Sequence, residues 1–196
     1  MNSKKNLVFL HIPKCAGTSM YSSHLMRQCE KIIHPIPTKG AISTIKEKRL
    51  EKHFKFAFTR NPWDRFVSLY FYFYKMNPNH FAYKFDEPTV KKVKQYKTFK
   101  DFCINFENLN HRKFHFFKQS KWTHSEGKCF VDFIGKYENL QEDWSTLEKK
   151  LKIEPYKLPH KNKSSHTDYR NYYDKETFDV VAKIYKEDIE NFNYDF

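Results

Sequence analysis

Residues 7–19 read LVFLHIPKCAGTS. The first six are five apolar side chains and one histidine, stopped by Pro13. A short apolar run ended by proline suits a buried parallel strand. Gly17 provides a point where backbone can approach a ligand closely. Thr18 and Ser19 stand where a helix opens, and MYSSHLMRQCE carries it on, so a helix is expected over about residues 18–30. A helix N-terminus presents N–H groups and partial positive charge, which favour anions such as phosphate. Lys14 adds a full charge, and the two hydroxyls add donors. An ordinary strand, turn and helix with a surface lysine would use the same residues, so this stretch alone leaves both readings open.

Working outward, KIIHPI (residues 31–36) predicts a short strand ended by Pro35 and Pro37. Residues 42–50 place Ile42, Ile45 and Leu50 among charges, the pattern of a surface helix. FKFAFT (residues 54–59) predicts a central strand. The order is β-α-β-α-β, which defines an α/β domain with a parallel sheet. A second motif follows in FTRNPWDRFVSLY (residues 58–70). Asn61 suits a helix N-cap, Pro62 the first helical position and Asp64 the first turn. Arg60 falls at the carboxyl end of a strand, where open α/β sheets bind ligands. Ser68 lies about two turns into the helix, on roughly the same face. A guanidinium fork and a hydroxyl suit a fixed phosphate. A capped helix with solvated arginines fits as well, and Arg65 reads as solvated.

With 196 residues the chain predicts one domain with a real core. Its 20 Phe and 13 Tyr predict an aromatic interior. The net charge of +13 implies an anionic partner without naming it. Cys15, Cys29, Cys103 and Cys129 form no Cys-x-x-Cys pair, so a zinc site is not expected. They read as reduced thiols of a cytoplasmic protein. Cys15 is either a thiol with a lowered pKa or a small residue filling a loop. MNSKKN runs straight into the first strand, so no signal peptide is expected. No apolar run approaches the roughly 20 residues of a membrane span.

In the common nucleotide loop, lysine follows the last glycine; here Lys14 precedes Gly17 by three. HIPKCAGTS and FAFTRNPWDRFVSLY, with Lys14 and Arg60 46 positions apart, resemble the paired loops of sulfotransferases that use 3′-phosphoadenosine 5′-phosphosulfate (PAPS). The wording is closest to the carbohydrate-type (family 2) branch. The resemblance implies a P-loop-like, three-layer α/β domain with a central parallel sheet flanked by helices. It implies that Lys14, Cys15, Ala16, Gly17, Thr18 and Ser19 take the 5′-phosphosulfate, with Lys14 also catalytic. Arg60 and Ser68 would take the 3′-phosphate. FVDFIGKYENLQEDW (residues 130–144) is similar to the family's strand and Tyr-Glu-Asn segment, which makes Tyr137 the adenine contact. The C-terminal run from residue 158 resembles the family's tail, with Lys163 and Ser164 closing over the 3′-phosphate. No metal is required. The acceptor would be a hydroxyl, carried by a saccharide. Residues 1–196 form a single sulfotransferase domain on this reading, with the basic stretch 77–128 as a lid over the acceptor.

Transfer to a hydroxyl needs a base for its proton, and His titrates in the right range. His34 follows the second expected strand, and the branch tends to carry a histidine about here; it lies 26 residues before Arg60. His11, at the end of the first strand, is second. His53 begins the third strand, at the wrong edge. Two other classes compete. A P-loop-type nucleotide or small-molecule kinase would need Gly-Lys-Ser/Thr, which is absent. A basic nucleic-acid-binding module would need clustered charge, whereas here the lysines spread along the whole chain.

Overall fold

The computed structural model describes residues 5–33, 40–109, 114–159 and 167–196. The described elements begin with β1 (Lys5–Leu10), α1 (Gly17–Tyr21), α2 (His24–Gln28), β2 (Cys29–Ile33), α3 (Gly40–Glu47) and β3 (Phe54–Thr59). Next come α4 (Pro62–Lys75), α5 (Tyr83–Val93), α6 (Phe99–Ile104) and α7 (Ser120–Thr123). A two-stranded hairpin, β4 (His124–Ser125) and β5 (Lys128–Cys129), precedes β6 (Phe133–Lys136) and α8 (Leu140–Leu151). The chain closes with α9 (Lys175–Ile184) and α10 (Lys186–Phe192).

These elements form two compact units. The first comprises residues 1–60 and 117–163, the second 61–116 and 164–196. The first unit holds a four-stranded sheet of order β2-β1-β3-β6, with every pair parallel. Helices flank it in the three-layer, P-loop-like α/β arrangement that the sequence implies. From β1 the chain passes to β2 on one side, then to β3 on the other. That reversal is a switch point, and loops leaving the carboxyl ends of β1 and β3 flank it. Both central strands are buried on two faces, and their apolar stretches, residues 7–10 and 56–58, lie fully in the core. Phe9 stacks on Phe56 at 5.1 Å, and Phe58 meets Phe133 and Trp144, each at 6.1 Å. Fully burying one such side chain is worth about 1.5–3 kcal/mol. Gly135 makes room for this packing, since a Cβ there would lie 2.3 Å from the Phe58 ring.

The expected helix over residues 18–30 is in fact two short helices and the start of a strand. The Ser23 hydroxyl accepts from the Met26 N–H at 3.3 Å, capping α2 and breaking the run after α1. Serines that bond their own backbone favour such caps over helix interiors. Cys29 and Glu30 then join β2.

In the second unit, α4 starts as expected. The Asn61 side chain accepts from the Trp63 N–H, and Pro62 opens the helix. Asn61 also donates to the Asp195 carbonyl at 2.6 Å, tying this cap to the C-terminus. Phe66 packs among Phe99, Phe102, Phe106 and Tyr185. Arg65 corrects the sequence reading, because it is buried and not solvated. Its guanidinium donates to the His115 carbonyl at 2.8 Å and faces the Tyr185 ring. The stretch 77–128 divides between the units. Residues 77–116, with α5 and α6, belong to the second; residues 117–128, with α7 and the hairpin, belong to the first.

Candidate functional site

The parallel register brings the ends of β1, β3 and β6 to one edge of the first unit. Leu10 pairs with Ala57, and Thr59 with Lys136. The residues that follow, Lys14, Arg60 and Tyr137, converge there. Lys14 and Ala16 both take left-handed backbone, with φ of 69° and 61°. Non-glycine residues adopt this at a cost of order 1–3 kcal/mol, so the loop holds a strained shape that turns its amides. The Ala16 carbonyl accepts from the N–H groups of Ser19 and Met20, opening α1. That helix spans five residues, so positive charge at this edge comes from side chains more than from a helix dipole.

Arg60 is 4 % exposed, and contacts to both its side chain and its backbone fix it. One guanidinium nitrogen donates to the Lys14 carbonyl at 3.1 Å. The guanidinium carbon lies 4.1 Å from the centre of the Tyr137 ring. The backbone of Arg60 is gripped by Gln119, which accepts from its N–H at 2.9 Å and donates to its carbonyl at 2.8 Å. Burial, and then the nearby Arg60 charge, pull the Lys14 ammonium down to about 8, partly offset by Cys15. Two cations this close suit an anion. Anionic groups bound beside them would relieve their repulsion and accept from each. The donor set therefore fits a ligand that carries one anionic group for Lys14 and another for Arg60.

The other expected residues fall as follows. Cys15 is buried, and its thiol donates to Gln119 at 3.3 Å. It fills the loop as a packed thiol, and only its backbone can face a ligand. Gly17 has a specific reason to lack a side chain, since a Cβ would lie 2.2 Å from His11 Nε2. The His11 Nδ1 is 2.9 Å from the Tyr21 hydroxyl. Thr18 is exposed and Ser19 is buried. A cavity of about 220 Å³ opens beside Tyr137, lined also by Asn139, Leu140, Leu158 and Pro159. Ser68 lies on α4 in the second unit and is buried. His34, Lys163 and Ser164 lie outside the described residues. His53 precedes β3 at the opposite edge, within 2.7 Å of the Glu30 carboxylate. Among the described residues no three His, Cys, Asp or Glu side chains cluster to hold a metal, and no helix is long and apolar enough to cross a membrane.

Sequence reasoning missed Gln119, the His11–Tyr21 contact and the stacking of Arg60 on Tyr137. Gln119 lies 59 positions from Arg60 and 104 from Cys15, inside FKQSKW, where no local pattern marks it.

Residues 1–195 match the family model described as the sulfotransferase family. The chain belongs to that family, and the match bears out the carbohydrate-type, family 2 reading of the two loops. A protein of Archaeoglobus fulgidus, named only as uncharacterized, is 32 % identical over 105 residues, covering 54 % of this chain and 72 % of its own length. No solved structure matches. As a family member the chain is a transferase, and the reaction class is sulfuryl transfer to an acceptor hydroxyl.

Proposed function

We propose that the donor is PAPS and that the acceptor hydroxyl belongs to a carbohydrate. The observation that carries this reading is the buried Arg60 guanidinium beside the half-buried Lys14, on adjacent loops at the switch point. When bound, PAPS supplies a sulfuryl group already activated on a phosphate leaving group. The chain's own residues do the rest. Lys14 holds its charge against the 5′-phosphosulfate, where negative charge grows as the sulfuryl group departs. The backbone of Cys15, Ala16 and Gly17, with the hydroxyls of Thr18 and Ser19, completes that cradle. Arg60 and Ser68 take the 3′-phosphate, and Tyr137 lies against the adenine, a role favoured by the cavity that Tyr137 helps to line. Lys163 and Ser164 close over the 3′-phosphate. His34 removes the acceptor's proton. Residues 77–128 cover the acceptor within a single sulfotransferase domain, and the protein works in the cytoplasm.

Calorimetry with 3′-phosphoadenosine 5′-phosphate (PAP) and with AMP tests the donor. PAP should bind at least about tenfold tighter, because charge-assisted hydrogen bonds are worth roughly 1.5–3 kcal/mol each. Equal affinities would remove PAPS as the donor. A screen of hydroxyl acceptors with labelled PAPS then tests the carbohydrate.

A further inference from the structure

The carboxamide of Gln119 is fully buried and makes three hydrogen bonds. Its oxygen accepts from the Arg60 N–H at 2.9 Å and from the Cys15 thiol at 3.3 Å, and its nitrogen donates to the Arg60 carbonyl at 2.8 Å. One side chain therefore bonds both loops that follow the central strands. The carbonyl oxygen serves both loops at once, so neither can slide without breaking a bond to the other's partner. A buried amide left unpaired is strongly disfavoured, which gives the arrangement a steep local minimum. Gln119 directly precedes α7, whose Ser120, Trp122 and Thr123 are buried, so its own backbone is fixed.

We propose that Gln119 is a positioning residue that sets the register of the lysine loop against the arginine loop. A donor that contacts both loops depends on that register; a ligand that contacts only one depends on it little. Gln119 would touch no reacting atom and would act through Cys15 and Arg60. This inference rests on the PAPS reading for its ligand half, but its geometry stands without it.

Two measurements on the full chain test the proposal, one needing no ligand. In a Cys129→Ser background, which removes the exposed thiol, alkylation of Cys15 is followed by peptide mapping. Gln119→Met keeps the volume and removes all three bonds. Cys15 should then react at least about tenfold faster, the effect of losing a hydrogen bond worth over 1 kcal/mol. In parallel, calorimetry should show PAP affinity falling about tenfold or more and AMP affinity less than about threefold. Gln119→Glu, which keeps both acceptor bonds and loses the donor, should leave Cys15 alkylation close to the parent rate. If the methionine variant does not fold, Gln119→Leu removes the same bonds and takes its place in both measurements. Unchanged Cys15 alkylation in Gln119→Met, or a Glu variant as reactive as the Met variant, would overturn the brace. If the parent protein fails to prefer PAP over AMP, the donor reading falls instead, and the Cys15 rates still decide on Gln119.

Discussion

The Arg60 guanidinium lies 4.1 Å from the centre of the Tyr137 ring. Residues from β3 and β6 thus meet face to face at the edge where the lysine loop also ends. The ring holds the guanidinium plane, and a fixed fork loses less entropy when it binds an anion. A cation over an aromatic ring is worth about 0.5–2 kcal/mol. Tyr137→Leu should therefore weaken PAP binding by about 2- to 30-fold, and Tyr137→Phe by much less. Titration calorimetry of the three proteins checks this. A leucine variant that binds as the parent does would show that the stacking contributes nothing to binding.

The lowered pKa of Lys14 has a sign that can be read in solution. The free protein holds that proton only partly near pH 8. An anion restores it, so PAP binding at pH 8 should take up roughly half a proton, and affinity should fall as pH rises further. Calorimetry in buffers of different ionisation enthalpy measures the uptake. The stability of the free protein carries the same sign. Its folded pKa lies below the ordinary value of 10.5, so the unfolded chain binds more protons between those values. This group's contribution to stability rises from pH 8 to about 10.5. Lys14→Met should abolish the uptake and flatten that rise. Uptake that persists in Lys14→Met would assign the proton to another group.

Gly17 and His11 should behave as a coupled pair. A methyl group on Gly17 would lie 2.2 Å from His11 Nε2, so Gly17→Ala should cost about 1–3 kcal/mol through overpacking. Adding His11→Ala removes the obstacle. The double variant should recover much of the loss, giving a coupling of about 0.5 kcal/mol or more in denaturant titrations. Strict additivity would mean that His11 moves aside freely.

The base assignment has its own outcome. His34→Ala should lower turnover by at least about a hundredfold while PAP affinity stays near the parent value, and the parent's activity should fall as pH drops through the histidine pKa. A fully active His34→Ala enzyme would pass the role to His11, whose ring lies against the lysine loop.

The central strands, the Asn61–Pro62 helix start and the convergence of Lys14 with Arg60 were legible in the sequence. The strands and the helix start are local, a run of apolar residues or a cap with its first turn, and the convergence follows from two motifs that each end a strand. The parallel direction of the strands then follows, because helical crossovers return the chain to the same end of the sheet. Arg65 was not legible. Its burial depends on the His115 carbonyl, 50 positions away, and nothing nearby separates it from a solvated arginine. The split of residues 18–30 was missed because Ser22 and Ser23 are tolerated in helices, and only the cap bond on Met26 decides against continuation. Gln119 escaped for the same reason as Arg65, since its carboxamide bonds Arg60 and Cys15, 59 and 104 positions away.

The carboxyl edge is assembled in an order set by the sheet. The Lys55 N–H donates to the Asp132 carboxylate across 77 positions, and β6 joins β3 only when that separation has been closed. Pairings between segments so distant carry a large entropic cost of closure and form late. A nascent chain released only as far as Arg60 carries both loops, yet lacks the Gln119 amide that bonds Cys15 and Arg60 and the ring that faces the guanidinium. The carboxyl edge therefore takes its final form only once the chain has been made through Tyr137.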